Sequence, residues 1–125
     1  LDLRTKAETL LASIADIDLN AVAETILFTC PVGKSCVITK VVLRNCVGAG
    51  LPLGTASISF GWNTSQADDV IANGVRAITA ATNYEIIIAG SDAEIGLETG
   101  TFKIDVQTAE GAVLTGTIDV FGYLF

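Results

Sequence analysis

Thr115-Gly116-Thr117-Ile118-Asp119-Val120-Phe121-Gly122-Tyr123-Leu124-Phe125 separates into two alternating sets. Positions 116, 118, 120, 122 and 124 are Gly, Ile, Val, Gly and Leu, while positions 117, 119, 121, 123 and 125 are Thr, Asp, Phe, Tyr and Phe. A period of two places the sets on opposite faces of a strand. One face is aliphatic throughout; the other begins polar and ends aromatic. A strand that becomes apolar on both sides needs cover on both, from its own domain or from another chain. A sandwich core accounts for Ile118, Val120 and Leu124 as one face. The end formed by Phe121, Tyr123, Leu124 and Phe125 is the candidate contact between subunits.

The same alternation recurs upstream. Residues 102–108 set Phe102, Ile104 and Val106 inward against Lys103, Asp105 and Gln107 outward. Residues 55–62 set Ala56, Ile58, Phe60 and Trp62 against Thr55, Ser57, Ser59 and Gly61, which reads as one face in and one toward water. In residues 35–45 the even positions Cys36, Ile38, Lys40, Val42 and Arg44 oppose Val37, Thr39, Val41 and Leu43. Lys40 and Arg44 then share a side, either as a solvated face or as a match for carboxylates of a neighbouring subunit. Shorter β-rich runs lie at 25–30, 75–78, 84–89 and 95–97. They are punctuated by Pro31-Val32-Gly33, the Gly-rich loop at 46–54, Glu98-Thr99-Gly100 and a Glu110-Gly111 hairpin signal. Seven or eight strands at roughly ten-residue spacing predict an antiparallel, jelly-roll-like β-sandwich. With 125 residues the chain is expected to form one domain.

Residues 3–14 read differently. Apolar residues at 3, 7, 10, 11 and 14 have helical spacing, and Thr5 followed by Glu8 fits a capping box. This predicts a short N-terminal helix, with an extended arm over a neighbour as the alternative, since so short an isolated helix is marginal. The expected division is an arm or helix over 1–22 and a sandwich over 23–125. Leu3, Leu10, Leu11 and Ile14 would be the arm's docking contacts, and its deletion would leave the sandwich intact.

Composition narrows function mainly by exclusion. Asp and Glu number 14 against 7 Lys and Arg, for a net charge of −7, and there is no histidine. Such a chain is repelled by phosphate backbones and anionic lipid, so neither nucleic acid nor membrane is an expected partner. No apolar run approaches the roughly 20 residues of a membrane span, and LDLRTKAETLL lacks signal-peptide form. Half of the residues are hydrophobic and only 17% are charged, which favours extensive burial, between subunits as well as within one. Three states stand open for Cys30, Cys36 and Cys46: free buried thiols, a Cys30–Cys36 bridge across the turn, or an intersubunit bridge. Three cysteines without histidine do not make a zinc site.

No enzymatic activity or cofactor is expected. Ser-His and Cys-His catalysis need an imidazole that is absent. Gly33-Lys34-Ser35 ends like a phosphate-binding loop, but Phe28 stands where its first glycine belongs, so a hairpin is the better account. Asp68-Asp69, with Asn63 and Asn73 nearby, is a weak candidate for paired-carboxylate chemistry or calcium and reads first as a surface turn. Trp62 and Tyr123 are the aromatics on which glycan recognition would rest, although Trp62 falls on the core parity of its strand.

The segments FTCPVGKSCVITKVVLRN at 28–45, ASISFGWN at 56–63, ADDVIAN at 67–73 and IDVFGYLF at 118–125 resemble small β-sandwich virion-associated proteins of tailed bacteriophages. The resemblance covers about residues 24–125, and the three cysteines depart from the group's pattern. It implies a location in the virion and a structural role: a capsid decoration or cement protein, a head fibre, or a tail component. It implies self-association, as a homotrimer, and contact with other virion proteins such as the major capsid protein. Recognition of a glycan or cell-surface ligand by an adsorption apparatus is the alternative.

Overall fold

A computed structural model describes residues 7–64 and 66–125. The described chain has eight strands: β1 (Thr9–Asp18), β2 (Ala23–Thr29), β3 (Cys36–Val47), β4 (Ser57–Gly61), β5 (Ile71–Val75), β6 (Glu85–Ile88), β7 (Thr101–Thr108) and β8 (Thr115–Leu124). They form two antiparallel four-stranded sheets, ordered β1-β8-β3-β6 and β2-β7-β4-β5. The sheets pack face to face on a core that includes Phe60, Phe102, Leu43, Ile58, Ile104, Leu114 and Ile118. The expected β-sandwich is the observed fold.

β8 runs without a bulge, and both neighbours adjust to it. Its inward residues, Gly116, Ile118, Val120 and Gly122, and its outward residues, Thr117, Asp119, Phe121 and Tyr123, keep strict alternation. Gly122 is required by close approach, because a Cβ there would collide with the Val37 carbonyl. On one side β1 carries an extra residue between Leu10 and Ala12 and another between Ile14 and Ile17. On the other, β3 does so between Ile38 and Lys40 and between Arg44 and Val47. Each bulge reverses which parity faces inward. The buried residues of β3 are therefore Cys36, Ile38, Val41, Leu43 and Cys46, not a single even or odd set.

The same device corrects the N-terminal expectation. Over 9–18 the chain is strand β1, hydrogen-bonded to β8, and not a helix or a free arm. Leu11 and Ile14, three apart in the helical set, both pack against the core, because the extra residue between Leu10 and Ala12 gives a strand the same interval. Pairing with an otherwise open edge of β8 outweighs the helix propensity of a short segment. Residues 1–6, with Leu3 and Thr5, lie outside the described residues. The sandwich thus begins by Thr9, not at residue 23.

Two turns also differ from expectation. β2 and β3 lie in different sheets, as do β7 and β8, so residues 30–35 and 109–114 form arches between sheets and not hairpins. Gly33 and Gly111 have φ of 77° and 95°, the left-handed values that turn signals call for. Across the first arch Cys30 and Cys36 form a disulfide with Cα atoms 6.2 Å apart, tying the end of β2 to the start of β3. Cys46 is a free, buried thiol whose pKa is raised by burial.

β4 is buried on both faces, contrary to the half-exposed strand expected. Ser57 and Ser59 are 8% and 0% exposed. Gln107 Nε2 caps Ser59 Oγ at 2.9 Å and its Oε1 accepts from Gln66 Nε2, while Asp69 Oδ1 accepts the Trp62 N–H at 2.7 Å beyond the end of the strand. Trp62 packs on Phe102, ring centroids 5.3 Å apart, and its ring occupies the space a side chain at Gly96 would need.

Two outcomes test this architecture. Deleting residues 1–18 removes an edge strand and its core residue Ile17, so the truncated chain is expected to lose cooperative unfolding in urea. A truncated chain with an unchanged midpoint would contradict the role of β1. Replacing Cys30 and Cys36 by Ser releases a short loop and is expected to cost about 2 kcal/mol, read as a lower urea midpoint that reductant does not lower further.

Candidate functional site

The outward face of the β1-β8-β3-β6 sheet concentrates the unusual chemistry of the molecule. Strand register orders it in rows. Leu10 on β1 lies beside Phe121 on β8, Phe121 beside Lys40 on β3, and Lys40 beside Ile88 on β6. The next row is Ser13, Asp119, Val42 and Ile86. Tyr123 lies beside Val37 on the other side of Phe121. Leu10, Ile86 and Ile88 remain 56%, 50% and 74% exposed, which makes this an apolar surface spanning four strands.

Both cations of this face are paired within the chain, while Asp18, beside Thr115 at the end of β1, is an exposed carboxylate. Arg44 donates from Nε to Asp119 Oδ2 at 2.6 Å and from Nη2 to Oδ1 at 3.3 Å, and Ser13 Oγ donates to Oδ1 at 2.6 Å. The Arg44 guanidinium, helped by Ser13 and opposed by burial, holds the Asp119 carboxyl below its usual range. Lys40 Nζ lies 3.0 Å from Glu8 Oε1 and 5.0 Å from the centroid of the Phe121 ring. Thr39 donates to Glu8 Oε2 at 2.8 Å; this bond and the one from Lys40 lower the Glu8 pKa. Lys40 and Arg44 thus meet carboxylates of their own chain. Two cations and two carboxylates cancel here, while the chain as a whole carries −7.

The opposite outer face, on β2-β7-β4-β5, is mostly polar. Lys103 is 6% exposed, and its Nζ donates to Trp62 O, Thr101 O and Thr101 Oγ1, each at 3.2 Å. Arg76 Nη2 donates to the Ile58 and Ala72 carbonyls at 3.3 Å. Ser59 and Gln107 complete this side, with Ile26 and Val75, 56% and 55% exposed, its exposed apolar residues. Lys103 and Asp105, expected outward, are outward but nearly buried among their neighbours.

The candidate contact residues are divided by the fold. Phe121 and Tyr123 lie half-buried on the outward face, with Phe121 flanked by Leu10 and Lys40. Leu124 points to the other side, opposite Cys36, and Phe125 exchanges backbone hydrogen bonds with Ser35 at 2.7 and 3.0 Å. Of the docking-arm residues, Leu10 joins the outward face, whereas Leu11 and Ile14 pack against the core. Val42, Ile86 and Ile88 belong to the face and were not among the candidates. Their signal was present in Ile86-Ile87-Ile88, which is apolar on both parities. Asp69 spends its carboxylate on the Trp62 and Asn63 amides, and Asp68 is exposed beside it.

These pairings set an acid response. The folded-state pKa values of Asp119 and Glu8 are lowered, and so is that of Glu110, where burial is outweighed by N–H donors from Ala56, Thr55 and Gly54. Groups with depressed folded pKa contribute stability that is present above the unfolded pKa, roughly 4, and lost as pH falls through the folded value. Melting temperature is expected to hold from pH 7 to about 5 and to fall steeply below about 4. Asp119→Asn should cost about 2 kcal/mol at pH 7 and flatten the acid limb; an unchanged pH profile would remove this pairing from the stability account.

No known family model matches the sequence, and no curated protein is similar to it. A chain in the acid-stable capsid structure of Helicobacter pylori bacteriophage KHP30 shares the fold, with a TM-score of 0.56, 15% identity and 95% of each chain covered. At that identity the likeness is one of fold.

Proposed function

We propose that this protein is a structural component of a bacteriophage particle, self-associating and docking on the capsid as a decoration or cement protein. The observation that carries this reading is the contrast between the two outer faces. One presents apolar side chains on four strands with both of its cations paired, and the other is mostly polar, with Ile26 and Val75 as isolated apolar residues. A one-sided apolar surface suits a molecule held against a lattice with its other side in water. Covering Leu10, Ile86 and Ile88 would each contribute about 1–2 kcal/mol.

Two further points support it. The strand order β1-β8-β3-β6 against β2-β7-β4-β5 fits a jelly roll, an arrangement used by viral capsid domains. The fold likeness to a chain of a phage capsid structure covers 95% of both chains. The resemblance in the strand and turn segments points the same way.

Cryo-electron microscopy of particles assembled with and without the protein tests the reading. Added density on the capsid is expected with the wild type, and the double variant Phe121→Ser, Tyr123→Ser should reduce occupancy at least tenfold while melting cooperatively. Equal occupancy by the double variant would overturn docking through this face.

A further inference from the structure

We infer that the free edge of β6 is a self-pairing edge, by which two copies join their β1-β8-β3-β6 sheets about a two-fold axis at Ile87. The inference deepens the self-association in the proposed function and rests on it.

Backbone register identifies the groups involved. β6 pairs with β3 in the order Lys40 with Ile88, Val41 with Ile87, Val42 with Ile86 and Leu43 with Glu85. One residue further on, the Ala89 N–H donates to Thr39 O at 2.9 Å, so that pair is a hydrogen-bonded one. Antiparallel pairs alternate between bonded and non-bonded types. Val41 with Ile87 and Leu43 with Glu85 are consequently bonded, and Ile86 and Ile88 direct their N–H and C=O groups away from β3. β6 is the last strand of its sheet, so among the described residues these groups lie along an open edge.

The other three edge strands carry features that discourage pairing. β1 has two bulges and a left-handed residue, Asp16, at φ 61°. β2 has a bulge between Ile26 and Phe28, and β5 has one opposite the step from Ile58 to Phe60. Bulges and charges are the usual means of blunting an edge. β6 has neither a bulge nor an exposed cation: four consecutive pairs run in register, and Ile88 is 74% exposed. Its one charged residue, Glu85, already accepts the Ala77 N–H at 3.2 Å.

The edge is complementary to itself. With the two-fold axis at Ile87, Ile86 faces the partner subunit's Ile88, and Ile88 faces the partner subunit's Ile86. All four are of the type that turns its N–H and C=O groups outward, so each facing pair can exchange both hydrogen bonds. Glu85 faces the partner subunit's Ala89, so no like charges oppose across the join. The paired charges of Lys40 and Arg44 continue this neutrality over the adjoining face. In a chain of net charge −7, an edge whose one carboxylate, Glu85, opposes no like charge is where two copies meet with least repulsion. Such an isologous contact closes after two copies, so it yields a dimer and not the trimer implied by the resemblance.

Light scattering after size exclusion of the isolated full chain at about 100 µM, with hydrogen exchange of its amides, is the test. Twice the 13.0 kDa chain mass is expected, with protection of the Ile86 and Ile88 amides that rises with concentration. Ile88→Pro deletes only an outward N–H and leaves the β3 ladder intact, and Ile88→Lys places a charge on the edge. Each should reduce the dimer at least tenfold. If the proline variant misfolds by circular dichroism, the lysine variant decides. A wild-type monomer, a three-chain mass, or variants that remain dimeric would overturn the pairing. Particle binding is read separately by microscopy, so loss of the dimer with retained docking, or the reverse, tells which of the two ideas has failed.

Discussion

Strand β8 is the element on which the rest of the structure depends, because it must satisfy two hydrogen-bonded ladders while sealing the core with a straight row of alternating residues. Gly122 lets the β3 backbone come close, and Ile118 and Val120 face inward opposite Leu43 and Val41. A regular central strand obliges its neighbours to absorb the mismatch. Both do so with bulges at matching positions along it, near Phe121 and near Gly116. Those bulges bring Lys40 and Arg44 to the outward face, where Phe121 and Asp119 wait on β8.

From that arrangement follows the polarity of the molecule. At the centre of the β1-β8-β3-β6 face Lys40 with Glu8 and Arg44 with Asp119 neutralise one another and leave aliphatic and aromatic side chains as the dominant surface. The other sheet turns serines, Gln107 and the hydrogen-bonded Lys103 outward. Neither contrast follows from composition, since lysine and serine in strands ordinarily signal solvent exposure. Here Lys103 and Ser59 are nearly dry because Lys103 turns its Nζ onto the Trp62 and Thr101 oxygens and Gln107 caps the Ser59 hydroxyl.

Much of the fold was legible because strand periodicity is a local property. The inward sets of β7 and β8, the apolar parity of β4 and the strand character of the Ile86-Ile87-Ile88 run can all be read from side-chain alternation. What misled was equally local. The three-residue spacing of Leu11 and Ile14 suits a helix and a bulged strand alike. The turn chemistry of Gly33 and Gly111 suits a hairpin and an arch alike. The candidate face was half visible, in Phe121 and Tyr123, because they share a strand; Leu10, Val42 and Ile88 join them only through pairing between distant segments.

The sequence by itself determined the β class, the approximate limits of β2, β3, β4, β6, β7 and β8, the turn positions between them and the inward rows of β7 and β8, because each depends on residues within reach of one another along the chain. The tertiary structure alone decided which edges pair, where register slips, that the N-terminal segment is an edge strand, and that one outer face is apolar while the other is not. The physical reason is that backbone donors and acceptors must find partners somewhere. Which distant strand supplies them depends on the closure of the whole sandwich and not on any local pattern.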